Sequence, residues 1–143
     1  MSAEKLYSEI FEEYQTLTDK KDQIALLRKY DHKRFRDFLQ FAFNKNIKFD
    51  VEVPEYRPAI EPAGLNFTYL DLEMSKMYRF IVGHPSRPAQ LTSEKQKRLL
   101  LVVLESLHKD EAALLVNLLK KDLGIPLLTK KIVSEAFPDL DLG

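Results

Sequence analysis

The chain has no cysteine, so disulfides and thiolate metal sites are excluded. It has three histidines, His32, His84 and His108, and no two of them stand four apart as a zinc-binding helix requires. Glycine is scarce, at 4 of 143 residues, and no glycine-rich phosphate loop can be read. There is no Ser-His-Asp order and no two-histidine motif, so nothing implies an enzyme, a metal or a cofactor. The longest apolar run, Leu99 to Leu104, is far below the roughly 20 residues that span a bilayer. The start of the sequence is charged and amphipathic and has no signal-peptide block, so no membrane partner is expected. Charge of one sign is also missing. Lysine plus arginine is 22 and aspartate plus glutamate is 22, which argues against binding nucleic acid by bulk charge.

What is present is apolar content of 45%, enough for one domain with a core spanning residues 1–143 in a soluble, reducing-compartment protein. The charges cancel globally but not locally. Residues 1–19 are acidic, with Glu4 among their carboxylates. Residues 20–48 hold nine lysines and arginines against three aspartates, and residues 50–73 are acidic again. Such segregation can place a basic face on a neutral protein.

The apolar spacing is helical almost throughout. Leu6, Ile10, Phe11 and Tyr14 form one stripe. Thr18 or Asp19 can cap a second helix carrying Ile24, Leu26 and Leu27. Asp31 can cap a third with Phe35, Phe38, Leu39 and Ala42 on one side. The pattern then breaks. Pro54, Pro58, Pro62 and Gly64 fall within eleven residues and exclude a helix. Alternation over 47–53 allows a short strand. A helix is expected from Tyr69 to a cap at Gly83, another after Thr92 or Ser93, and another from Asp110 to Lys121 followed by Gly124. A last one runs from Leu128 or Thr129 to Phe137. The fold class read this way is all-α, about seven packed helices with one extended proline-rich insert.

Several places carry a functional and an ordinary reading. Thr129, Lys130 and Lys131 can hold a phosphate at a helix start, or be a cap and two solvated lysines. In residues 28–38, Arg28, Lys29, Lys33 and Arg36 can track a nucleic-acid backbone, or line a solvated face. His84 and Arg87 sit on a loop that can bind or merely connect. His32 and His108 read as surface or capping residues. Residues 52–69 can dock another protein through Tyr56, Ile60, Leu65 and Phe67, or fold over the helices with those side chains buried.

The segment "KDLGIPLLTKKIVSEAFPDL" (121–140) resembles the stretch that closes the N-terminal domain of tailed-phage ATP-dependent DNA ligases. That pattern reads [KR]-D-L-x-x-G-x-S-x-x-x-[IA]-N-K-V-[FW]-P-x-L. Lys121, Asp122, Leu123, Ile132, Phe137, Pro138 and Leu140 match it, with one residue inserted. Residues 79–119, 21–43 and 47–56 are similar to the family's earlier helices and its extended stretch. The resemblance implies an all-α domain that grips duplex DNA around a nick. It implies no ligation, because the catalytic K-x-D-G is absent. A stand-alone, non-catalytic version encoded by a phage would work in the cytoplasm of an infected bacterial host. Its basic face would combine Arg28, Lys29, Lys33 and Arg36 with Lys120, Lys121, Thr129, Lys130 and Lys131. The sequence departs from the family where Gly-x-Ser becomes Pro126-Leu127-Leu128 and Asn-Lys becomes Ser134-Glu135. Those changes leave a second expectation, an interaction adaptor or host-takeover factor that binds a phage or host protein on the same scaffold.

Overall fold

Tyr7, Ile10, Phe11 and Tyr14 are all buried on one face of the first helix, α1 (Tyr7–Gln15), at the spacing that puts side chains on one stripe. The computed structural model describes residues 5–62 and 65–143, so Glu4 and Gly64, both used above, lie outside the described residues. Asp19 opens α2 (Lys20–Lys29) by accepting the Lys21 N–H at 2.9 Å, the bond an N-cap carboxylate makes. In α3 (Lys33–Phe43) the four expected apolar positions are buried. Tyr7 meets Phe35 and Phe38 edge-on, with ring centroids 5.4 and 5.0 Å apart, so α1 and α3 share an aromatic core. Truncating Phe35 to alanine there would cost about 3–5 kcal/mol. Asp31 does not cap α3; His32 holds that position, and Asp31 instead pairs with Arg36 at 2.6 Å.

The single helix expected up to Gly83 is two elements. One turn of α-helix, α4 (Leu70–Glu73), passes into a 3-10 segment, Met74–Phe80. The reason lies in the spacing. Met74, Met77 and Phe80 are buried and stand three apart, and three residues per turn stacks them on one line. The strand expected at 47–53 reduces to one bridge, Phe49 with Ile81, flanked by Val82 N–H to Lys48 O at 2.8 Å. The segment facing it is the end of the 3-10 segment, too short for a ladder.

Thr92 caps α5 (Ser93–Ser106), and His108 Nδ1 caps α6 (Lys109–Leu119) by accepting the Asp110 N–H. At the end of α6 the left-handed position is taken by Lys121, with φ 61°, and Gly124, three residues on, is left-handed as well at φ 67°. The Lys121 N–H goes to Leu118 O and that of Asp122 to Asn117 O, the reverse bonds that close a helix end. Thr129 caps α7 (Lys130–Ala136). Among the described residues there are seven α-helices and no strand, so the fold is all-α. Helix α6 lies at the centre, against α1, α3, α4 and α5, while α2 packs on α7.

The insert runs along α5. Asp50 meets Arg87 and Gln96, Glu52 meets Lys97, and the Arg57 N–H reaches Glu105 Oε2 at 2.7 Å. The chain returns where the Thr68 N–H meets Ser106 O at 3.2 Å.

Candidate functional site

The nine residues expected to form a basic face divide into two groups. Four are used inside the fold. Arg28 donates from Nε to Ala136 O and from Nη2 to Glu135 O, each at 3.0 Å, so its cation sits on the free carbonyls at the C-terminal end of α7. Lys121 donates to Phe41 O and, at 2.9 Å, to Asn44 O, which places a second cation on the end of α3. Burial pushes the Lys121 ammonium below the usual lysine range. Arg36 bridges Asp31 and Asp139 and lies over the Phe137 ring at 4.9 Å. The Thr129 hydroxyl accepts the Ile132 N–H and is an ordinary cap.

The other five are on the surface. Lys33 is paired with Asp37, one helical turn on. Lys29 lies over the Tyr30 ring at 5.4 Å. Lys29, Lys120, Lys130 and Lys131 make no salt bridge among the described residues. Arg28 and Arg36 come together around the end of α7, whereas Lys121 holds the opposite end of α3 from Arg36. Glu135 is bound to Lys20 at 2.7 Å. On the loop before α5, Arg87 donates to Asp50 and Ile81 O and so ties the loop to the insert, and His84 accepts the Ser86 N–H and closes the loop on itself.

A polar cluster that the sequence reading missed joins α1, α3, α4 and α6. Asp71 accepts from the Tyr7 hydroxyl and His32 Nε2, and pairs with Arg34 at 3.2 Å. Burial alone would raise the Asp71 carboxyl. The hydrogen bonds from His32 and Tyr7 and the charge of Arg34 outweigh it and hold the group below its usual range. Burial pushes the Tyr7 hydroxyl far above the usual tyrosine range, so it is a donor and not a nucleophile. Glu111, almost fully buried, accepts the Ser8 N–H at 2.7 Å and faces the start of α1, where a helix favours a carboxylate. Burial nevertheless raises its carboxyl above the usual range. Asp71 binds Tyr7, His32 and Arg34, and Glu111 binds the backbone of α1, which is the arrangement of a joint between helices. Among the described residues no cluster of three or more histidines or carboxylates could hold a metal. No described helix is long and apolar enough to cross a membrane.

The insert divides in a way the sequence did not resolve. Val51, Val53 and Tyr56 pack against the core. Beyond Tyr56 the apolar side chains turn outward: Ile60 is 94% exposed, Leu65 71% and Phe67 92%. Of the four anchors expected there, Tyr56 is thus half-buried and the other three face solvent. Val102 on α5, 64% exposed, lies one turn before Ser106, where the insert returns.

No curated protein matches the chain with significance. A family profile matches residues 10–125, from the middle of α1 through the loop after α6. The match takes in the insert, the central helix and the His32, Arg34, Asp71 and Glu111 side of the polar joint, and the chain belongs to that family, a family of unknown function (DUF6433).

Proposed function

We propose that the chain is a non-catalytic docking module that holds a protein partner through the apex of its proline-rich insert. The observation that carries this is the outward exposure of Ile60, Leu65 and Phe67 while Val51, Val53 and Tyr56 of the same segment pack inward. Apolar side chains gathered on one exposed loop are favourable only when something covers them. Loops held by a rigid scaffold are where binding residues concentrate. On the scaffold resembling a phage ligase domain, the changed positions Pro126, Leu127, Leu128 and Glu135 fit a domain that has given up its DNA grip. The setting would be the cytoplasm of an infected bacterium. Affinity isolation tests the reading: a stoichiometric protein should survive nuclease treatment and disappear with Ile60→Ser, Leu65→Ser and Phe67→Ser combined. Equal recovery by the variant rejects it.

A second reading is a duplex DNA backbone binder. Three of the nine expected residues, Lys120, Lys130 and Lys131, make no salt bridge among the described residues, and that favours it. Phosphate contacts release counterions, so binding to nicked duplex should fall steeply with salt. No binding at low salt, or no loss with Lys130→Ala and Lys131→Ala together, rejects it.

A further inference from the structure

Two exposed features of this chain have complementary chemistry. One is the insert apex. Ile60 and Phe67 point outward there, and Glu55 and Glu61 beside them make no salt bridge among the described residues. The other is a groove of about 620 Å³ between α2 and the end of α7. Ile24 and Ala25 form its apolar floor, and Lys20, Lys21 and Arg28 stand around it. Asp19 and Glu135 are on the rim too, but Asp19 accepts the Lys21 N–H and Glu135 is held by Lys20. The groove is therefore an apolar strip under an excess of one positive charge, and the apex, with Glu55 and Glu61 against Arg57, is an apolar knob beside an excess of one negative charge.

We propose that the insert apex of one copy of the chain seats in the α2–α7 groove of a second copy. Ile60 or Phe67 rests on the Ile24–Ala25 floor, and Glu61 faces Lys21. This rests on the reading of the insert as a docking element and names its partner. The apolar contact supplies the affinity, and the charges set the orientation. A formal net charge of zero places no long-range repulsion in the way. Within one chain the insert is tied at its base to Glu105 and Ser106 of α5, whereas α2 packs on α7. Two copies that seat reciprocally close into a two-fold pair, and a one-way contact adds copies in series.

Sedimentation equilibrium over a range of concentrations tests this on the full chain. The wild type should gain mass with concentration. Ile60→Ser with Phe67→Ser, and separately Ala25→Arg, should each weaken the association at least tenfold. All three positions are exposed, so the variants should keep the helical circular dichroism of the wild type. A labelled peptide of residues 54–68 should bind the wild type and the Ile60→Ser/Phe67→Ser chain, and fail on Ala25→Arg. A chain that stays monomeric to about 1 mM, or an association that neither variant weakens, overturns the proposal. If the chain is monomeric while Ile60→Ser/Phe67→Ser loses a different protein, the second-copy proposal falls and the docking reading stands. If that variant loses nothing, both fall.

Discussion

Arg28 donates from Nε to the carbonyl oxygen of Ala136 at 3.0 Å, and so ends a helix that begins 102 residues after it at Lys130. Seven residues are too few to hold a helix in water without help. The cation of α2 satisfies two of the carbonyls that α7 leaves open, and the Thr129 hydroxyl satisfies an N–H at its other end. Of the three residues that suggest a phosphate grip in the sequence, Thr129 caps α7 while Lys130 and Lys131 stay exposed, and the residue that fastens the other end is Arg28.

Replacing Arg28 by methionine should therefore lower stability by about 2 kcal/mol, the scale of charge-assisted hydrogen bonds. Arg28→Lys should recover only part, because a point cation cannot reach both carbonyls in the fork geometry. Urea unfolding measures both. A methionine variant as stable as the wild type would free Arg28 for another role.

Thr129→Ala should cost about 1 kcal/mol, as the loss of an N-cap does. Lys130→Ala with Lys131→Ala should change stability by less than about 0.5 kcal/mol, since both side chains are solvated. Thermal unfolding of the three proteins separates the cap from its neighbours. Equal losses would mean that the lysines have structural partners.

Glu111 and Asp71 should give stability opposite dependences on pH. The Glu111 carboxyl is raised in the folded chain, so its proton is lost first from the unfolded one. Its contribution is whole below the ordinary glutamate range and declines as pH rises through the raised value. Asp71 is lowered, so its contribution is present above the ordinary aspartate range and is lost as pH falls through the lowered value. Urea midpoints from about pH 3 to pH 8 should show the alkaline decline flattened in Glu111→Gln and the acid loss reduced in Asp71→Asn. Profiles parallel to that of the wild type would remove the assignment.

Leu127 is exposed and sits at φ 65°, where a side chain strains the backbone. Leu127→Gly should relieve the strain at little cost in packing and raise stability by about 0.5–1 kcal/mol, after the larger entropy of the unfolded glycine chain is counted. A fall in the melting temperature would show that the leucine side chain contributes more than its exposure suggests.

The periodic helices were legible in the sequence because their signal is local. Phe35, Phe38, Leu39 and Ala42 reveal a buried face without reference to anything else. The 3-10 segment was not legible, since Met74, Met77 and Phe80 also fit the tolerance of an α-helical stripe. Nor were the roles of Arg28 and Lys121, whose carbonyl partners lie 107 and 77 positions away in Glu135 and Asn44. A basic residue in the sequence looks the same whether it will meet a phosphate or a helix end. The insert was partly legible. Its apolar residues stand out, but nothing local tells that Tyr56 packs and Phe67 faces solvent.

Arg57 and Thr68 leave and rejoin the body at consecutive residues of α5, Glu105 and Ser106. The stretch between them is thus a loop closed at its base, and Ile60, Leu65 and Phe67 on it face solvent. Doubling such a loop costs only about 0.6 kcal/mol of closure entropy. The exposed side chains of Ile60, Leu65 and Phe67 should be exchangeable without repacking a helix. In that sense the apex is a replaceable cartridge on a fixed mount.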